Sequence, residues 1–97
     1  MQVSININEE GKGFFALSTR DKAIGEIKVQ LNNGELILLD TVTLIRPCVR
    51  SVARRLLQET VEYARMHDLK MVTLSKFAQK QFSNNPALYA DVWEKAY

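Results

Sequence analysis

Four of the six arginines in the chain lie within ten residues of one another: Arg46, Arg50, Arg54 and Arg55. The hydrophobic pattern around them changes from the alternation of a strand to the period of a helix, so they crowd the first turns of that helix. A helix N-terminus carries the positive end of the macrodipole and normally favours carboxylates. Arginines there predict a bound anion, because guanidinium groups and free backbone N–H groups together form a phosphate site. The alternative is a solvated basic helix face.

Two further side chains can do chemistry, and each has a simpler structural role. Cys48 is the only cysteine, so it forms no internal disulfide; beside the arginines it is either a reactive thiolate or a small loop residue. His67, the only histidine, either caps the end of the helix or is solvated. We expect no metal ion, because no second histidine or cysteine lies at the spacing of a metal site.

The first half of the chain predicts an antiparallel meander of four strands. Polar and apolar residues alternate over residues 2–8, and further strands are expected over residues 14–19, 23–31 and 35–43. Asn33 and Gly34 suit a type I′ turn between the last two strands. The apolar run over residues 36–39 predicts that the fourth strand is buried on both faces.

The main helix follows Pro47, which ends the strand pattern because proline cannot donate within a central strand. Apolar residues then recur with a period of 3.6 from Val52 onward. Ser51 is expected to be the N-cap of this helix, and residues 66–68 are expected to end it.

After the main helix, residues 69–74 are expected to form a strand parallel to residues 35–43, which completes a β-α-β unit. Ser75 is expected to cap a short helix over residues 76–82, and residues 87–97 are expected to form a terminal helical segment. The 97 residues predict a single α+β domain, with a twisted mixed sheet, one main helix and a helical C-terminal end. The helix N-terminus would point into a cleft between the two parallel strands.

Composition limits the class of protein. With 46% hydrophobic and 25% charged residues, the chain is typical of a soluble globular domain. It begins MQVSININEE, without the basic and apolar regions of a signal peptide, and none of its unbroken apolar runs is longer than that over residues 36–39. We therefore expect a cytoplasmic protein with no membrane partner. A net charge of +2 gives no indication of a nucleic-acid partner.

Residues 39–97 resemble the short, single-domain branch of the GNAT superfamily of acyl-CoA-dependent N-acetyltransferases. Five stretches carry the resemblance: residues 40–43 (Asp-Thr-Val-Thr), 48–53 (Cys-Val-Arg-Ser-Val-Ala), 63–65 (Tyr-Ala-Arg), 75–78 (Ser-Lys-Phe-Ala) and 89–92 (Tyr-Ala-Asp-Val). Their order and spacing match that branch, and the meander before them fits a GNAT-like fold.

The resemblance implies that acetyl-CoA binds at the arginine-rich helix start. In the family, strand backbone hydrogen-bonds the pantetheine arm, at positions that match Val42, Thr43 and Leu44. Loop amides hold the pyrophosphate, at positions that match Val49, Arg50, Ser51, Val52, Ala53 and Arg54. Residues that match Ser75, Phe77 and Ala78 border the acyl end. The arginines would then face the CoA phosphates. Val49 and Ser51 stand where the family has glycines.

Catalysis could follow two routes. Ser75 stands where the family has a cysteine, and a serine nucleophile needs a neighbouring base, whereas the only histidine is expected at the far end of the helix. Direct transfer needs no nucleophile, but it needs a base that takes the proton of the amine. Asp40, Glu35 and Glu26 are the candidates; Asp40 stands where the family has a histidine.

The predicted function is transfer of an acetyl group from acetyl-CoA to an amine of unknown identity, with reduced or lost catalysis as a variant of that hypothesis. The alternative is a non-enzymatic module that binds nucleic acid or a protein through the arginine face. The strands carry no aromatic platform of the kind that stacks RNA bases, which argues against nucleic acid. A homodimeric scaffold without ligand is a third hypothesis, and we expect a monomer or a homodimer.

Overall fold

The computed structural model describes residues 2–20, 22–43 and 49–94, with residues 19, 23, 40–43, 49 and 50 described by their backbone. Five strands form one sheet in the order β1-β2-β3-β4-β5. In chain order the elements are β1 Gln2–Ile7, β2 Lys12–Thr19, β3 Lys22–Asn32, β4 Glu35–Thr43, α1 Val49–Met66, β5 Lys70–Thr73, α2 Lys76–Asn84 and α3 Pro86–Tyr89. The first four strands pair antiparallel and β5 pairs parallel to β4. The predicted meander and β-α-β unit are therefore confirmed.

Two tight turns set the register of the meander. Asn33 and Gly34 have φ angles of 45° and 82°, which confirms the turn expected from the Asn-Gly pair. In the first turn, Oδ1 of Asn8 accepts hydrogen bonds from the amides of Glu10 and Lys12, at 2.9 and 3.0 Å. This short polar turn lets β2 begin at Lys12, two residues earlier than expected.

The hydrophobic core lies between one face of the sheet and the helices. The sheet contributes Phe15, Leu17, Ile24, Ile27, Val29, Leu36, Leu38 and Met71. The helices and the C-terminal segment contribute Val52, Leu56, Leu57, Val61, Ala64, Ala78, Phe82 and Val92. Burying this apolar stripe of α1 against the sheet is the main stabilising term, at about 25 cal/mol for each Å² of apolar surface removed from water.

The second face of the sheet is more exposed than the sequence predicts. Leu36 and Leu38 are fully buried, but Ile37 is only half-buried and Leu39 is 40% exposed. The expectation that β4 is buried on both faces is therefore wrong. Its physical reason is that α1 and α2 both pack on the face that carries Leu36 and Leu38.

None of the described helices is both long and apolar enough to cross a membrane.

The C-terminal end is helical in α2 and α3, but the last helix is shorter than expected. After Tyr89 the chain turns, and Trp93 forms a parallel bridge with Met71 of β5. The amide of Met71 donates to the carbonyl of Val92 at 2.7 Å, and the amide of Glu94 donates to the carbonyl of Met71 at 2.9 Å. The helix expected over residues 87–97 is thus wrong beyond Tyr89, because the outer edge of β5 supplies hydrogen-bond partners to this backbone. Residues 95–97 of that expectation lie outside the described residues.

Candidate active site

The two parallel strands separate at a defined point, the carbonyl of Leu38. This carbonyl accepts hydrogen bonds from the amides of Leu74 and Ser75, at 2.9 and 3.2 Å. Pairing between the strands ends there, since β5 ends at Thr73 while β4 continues to Thr43. The last five residues of β4 therefore have no β5 partner, and a gap opens on that edge.

A β-bulge in β4 coincides with this separation. Val29 of β3 pairs with Leu38, but Lys28 pairs with Asp40, so Leu39 is an extra residue. A bulge bends its strand and increases the local twist. The distortion therefore turns β4 at the place where β5 leaves it.

The start of α1 supplies free backbone donors. The helix begins at Val49, so Val49, Arg50 and Ser51 are its first three residues, and their amides have no carbonyl acceptor within the helix. Ser51 was expected to be the N-cap; this is wrong, because the helix starts two residues before it. No acidic residue occupies the first turn, so the positive end of the helix dipole is not neutralised from within the helix.

Val52 and Ala53 differ from the other predicted contact residues. Their side chains are buried, at 3% and 4% exposure. These two side chains anchor the start of α1 to the core. A contact of either residue with a ligand stays a prediction.

Arg54 lines a cavity between α1 and α2. The cavity has a volume of about 280 Å³ and is lined by Arg54, Phe77, Lys80, Gln81 and Asn84. Arg54 and Phe77 were both predicted from the sequence as ligand contacts, and the fold brings them to one site. Ala78, the other predicted contact on α2, is buried at 1% exposure and does not line this cavity.

The neighbouring arginine is already engaged. Nε of Arg55 donates to Oε1 of Glu59 at 2.9 Å, one helical turn further along α1. Its charge is compensated by that carboxylate, whereas the exposed Arg54 points at the cavity. The two arginines, adjacent in sequence, therefore have different surroundings.

Ser75 is buried at 6% exposure and lies at the N-cap of α2. Its Oγ accepts a hydrogen bond from the amide of Ala78 at 3.4 Å, which confirms the expected capping role. The ring of His67 packs on Tyr63 with centroids 4.2 Å apart, at the opposite end of α1. His67 precedes β5 and Ser75 follows it, so the four residues of that strand, roughly 13 Å long, lie between them. His67 is therefore too distant to act as a base for Ser75.

A family model described as GCN5-related N-acetyl-transferase matches residues 13–92. The match covers most of the chain and includes the separated strands, the start of α1 and Ser75. The chain belongs to the GCN5-related N-acetyltransferase family. The fold is also that of a GCN5-like protein from Staphylococcus aureus solved by NMR: the TM-score is 0.69 at 24% sequence identity, over 97% of this chain and 90% of that one. No curated protein sequence matches the chain.

Members of the GCN5-related N-acetyltransferase family generally use acetyl-CoA and an amine acceptor. A base for the amine must lie near the gap between β4 and β5, and the three candidate bases differ in their distance along the strands from it. Glu26 is half-buried on β3. It pairs with Val42, in the part of β4 that has no β5 partner. Asp40 lies in the same part of β4, in register with Lys28. Glu35 begins β4 at the opposite end of the strand, where it interacts with Glu94. Glu35 is therefore not a base for this gap.

Some predicted positions of this family member lie outside the described residues. They are Leu44, Arg46, Pro47 and Cys48. Within residues 2–20, 22–43 and 49–94, no group of three or more His, Cys, Asp or Glu side chains could hold a metal ion.

One ion pair that sequence reasoning missed joins two of the family stretches. Arg65 donates from Nε to Oδ2 of Asp91 at 2.9 Å and from Nη2 to Oδ1 of Asp91 at 3.2 Å. A further bond runs from Nη2 to the carbonyl of Leu88 at 2.9 Å. The sequence did contain a signal for this pair, because Arg65 and Asp91 carry opposite charges and lie in two of the stretches that resemble the family. The pair fixes the C-terminal segment against α1.

Proposed function

We propose that this chain binds acetyl-CoA in the gap between β4 and β5 and transfers the acetyl group to an amine. The observation that carries the proposal is the separation of the strands at Leu38. Since β4 ends at Thr43 and α1 begins at Val49, only a short stretch of chain joins the unpaired strand edge to the helix N-terminus. An extended ligand suits this arrangement if amide groups at one end can bond the strand edge and phosphates at the other end can bind the helix N-terminus.

The two parts of acetyl-CoA suit the two parts of the site. The pantetheine arm has amide groups that can hydrogen-bond the free edge of β4, at Val42 and Thr43. The pyrophosphate suits the free amides of Val49, Arg50 and Ser51, since a helix N-terminus is a ready anion site. Arg54 adds a charge-assisted contact. The basic cavity that it shares with Lys80 has the charge to accept a further phosphate of CoA.

The reaction we propose is direct transfer. The amine nitrogen attacks the thioester carbonyl carbon, the carbon–sulfur bond breaks, and CoA leaves as a thiolate. Glu26 and Asp40 are the candidate bases for the proton that the amine loses. Ser75 caps α2 in this scheme and does not act as a nucleophile.

The alternative of nucleic-acid binding is not favoured by the arrangement of α1. Two of its exposed arginines are paired with carboxylates, Arg55 with Glu59 and Arg65 with Asp91. A basic face that binds phosphates along a nucleic acid needs its charges free.

Calorimetric titration with acetyl-CoA tests the proposed function. Arg54→Ala should weaken binding by roughly tenfold, the typical cost of one charge-assisted hydrogen bond. Arg55→Ala is the matched control, since it removes the adjacent arginine whose charge is already compensated, and it should change the Kd by less than about twofold. Equal effects of the two substitutions would contradict the assignment of Arg54, and no heat of binding with the unmodified chain would contradict the function.

A further inference from the structure

An apolar patch lies on the exposed face of the sheet at the point where β4 and β5 separate. Leu39 is 40% exposed and Leu74 is 60% exposed, among the most exposed large apolar side chains described. They are close neighbours, because the amide of Leu74 donates to the carbonyl that precedes Leu39. Ile37 and Val72, both half-buried, are paired partners directly beside them. We call Ile37, Leu39, Val72 and Leu74 the apolar patch.

The apolar patch faces away from the helices. Leu38 and Thr73 are buried on the side of α1, and side chains alternate between the two faces of a sheet. Ile37 and Val72, which precede these two on regular strand, therefore point to the other face. Leu39 and Leu74, which follow them, are 40% and 60% exposed and so lie outside the core. A molecule on the patch reaches the gap from the side opposite the core.

We propose that the acetyl acceptor is a primary monoamine with an apolar body, and that the apolar patch binds this body. The inference rests on the proposed function, because it assumes that the acetyl group is presented at the separation of the strands. A body of aromatic or aliphatic carbon would cover the two exposed leucines. Its amine would then lie at the edge of the gap.

The charges around the apolar patch favour one amine over several. On β3, the exposed Lys28 and the half-buried Glu26 are the charged side chains that share this face beside β4. At the other end of the patch, Glu35, Lys70 and Glu94 also include both signs. A polyamine needs several carboxylates without competing cations, whereas here Lys28 lies in register with Asp40 and Lys70 in register with Glu35.

The same surroundings help the amine to react. Apolar contact and a nearby cation both disfavour a charged ammonium, so they lower its pKa and increase the fraction of neutral amine. The neutral nitrogen forms the new carbon–nitrogen bond as the carbon–sulfur bond breaks. Its surplus proton passes to the leaving thiolate, directly or through Glu26, so that the products are the N-acetyl amide and CoA thiol.

The test compares three acceptors in a thiol-release assay with acetyl-CoA: phenethylamine, spermidine and glucosamine. We expect the highest kcat/KM for phenethylamine. Leu39→Ser and Leu74→Ser should each lower kcat/KM for phenethylamine by about tenfold, the usual effect of losing part of an apolar substrate contact. Leu88→Ser is the matched control, because Leu88 is 59% exposed on α3, outside the apolar patch, and it should leave kcat/KM unchanged.

The outcomes separate this inference from the proposed function. Higher kcat/KM for spermidine or glucosamine, or equal effects of the three leucine substitutions, overturns the inference while acetyl transfer stands. If acetyl-CoA binds but none of the three acceptors is acetylated, methyl NMR of the protein with CoA and phenethylamine shows whether the amine binds at the apolar patch. Shifts confined to Leu39, Leu74 and their neighbours support the inference, and their absence overturns it. A failure of acetyl-CoA to bind overturns the proposed function and this inference together.

Discussion

Arg65 on α1 and Asp91 in the C-terminal segment form a two-point ion pair, with distances of 2.9 and 3.2 Å between their nitrogen and oxygen atoms. The pair joins residues 26 positions apart, and Nζ of Lys70 adds a bond to the carbonyl of Asp91 at 2.7 Å. Next to it, the backbone of Val92 and Glu94 pairs with Met71 at the edge of β5. The pair therefore helps to close an edge of the sheet that would otherwise be exposed.

Breaking this pair should loosen the C-terminal segment before it unfolds the domain. In Asp91→Asn and Arg65→Gln, we expect faster hydrogen exchange at the amides of Met71 and Glu94, by several-fold, with little change at the core strands. In the double variant these amides should exchange no faster than in either single variant, since each single substitution already removes the same ion pair. Arg55→Gln is the control, because its ion pair lies within one helix. Unchanged exchange at Met71 would contradict the role of the pair.

The ion pair also predicts a dependence on acid. The hydrogen bond from Arg65 holds the pKa of the Asp91 carboxyl below its ordinary value of 3.8. The contribution of this group to the free energy of unfolding is therefore present above pH 3.8 and is lost as pH falls through the lowered pKa. The Tm values of the unmodified chain and of Asp91→Asn should become equal at the acid end of a series from about pH 6 to about pH 2, the interval over which linkage predicts the loss. A constant difference in Tm across the series would contradict this account.

Glu35 and Glu94 predict the opposite dependence. Their side-chain hydrogen bond, with the repulsion of the two carboxylates, raises the pKa of Glu35 above 4.5. The folded state holds this proton more tightly than the unfolded state, so the stabilisation is present below pH 4.5 and is lost as pH rises through the raised pKa. Glu35→Gln removes the titration, and its Tm relative to the unmodified chain should increase over that interval. A flat difference in Tm for Glu35→Gln would refute the prediction.

Gly13 should tolerate no side chain. A Cβ at this position would overlap backbone atoms of Asn6 and Ile7 on β1. Gly13→Ala must push β1 away from β2, and we expect a loss of about 3 kcal/mol or more in the free energy of unfolding. Gly34→Ala is the comparison: it meets no neighbouring atom and has only the strain of its φ angle of 82°, about 1 kcal/mol. Denaturant unfolding measures both, and similar losses would contradict the close approach of the strands.

Ser75 should matter for stability more than for turnover. Ser75→Ala removes the cap of α2 and should lower the free energy of unfolding by about 1 kcal/mol. Under direct transfer, kcat should change by less than about threefold, because the hydroxyl takes no part in bond formation. Steady-state kinetics with phenethylamine and denaturant unfolding provide the two measurements. A loss of kcat of about a hundredfold or more would instead make Ser75 a catalytic residue.

The sequence predicted those parts of the fold that depend on local patterns. The strand β1, the Asn33-Gly34 turn, the apolar stripe of α1 and the cap at Ser75 each arise from neighbouring residues, and each is confirmed, although Ile5 of β1 is 49% exposed. The predictions were wrong where contacts between residues distant in sequence determine the structure. Leu39 is exposed because no described helix covers its face, and the last helix stops at Tyr89 because β5 offers its edge. Likewise, the pairing of Arg65 with Asp91 depends on how α3 packs.

The candidate site shows the same division. The arginine-rich helix start was recognisable from Pro47 and the change of period. The resemblance placed Arg54 at the phosphates and Phe77 at the acyl end of the ligand, whereas in the fold both line one cavity. The start of α1 at Val49 was not recognisable, because the nearest residue of a preferred N-cap type is Ser51, which lies inside the helix. The pairing of Arg55 with Glu59 follows the four-residue spacing of a helix, whereas the cavity that Arg54 lines depends on how α2 packs against α1.

Amide NMR during titration with acetyl-CoA tests the central proposal most directly. The account predicts the largest shifts at the start of α1, at Val49, Arg50 and Ser51, with further shifts at Val42 and Thr43 of β4. The open face near Ser4 and Asn6 and the end of α1 near His67 should stay unchanged. Shifts concentrated at His67 or spread over β1, or no shifts at millimolar acetyl-CoA (of the order at which weak ligands still bind), would contradict it.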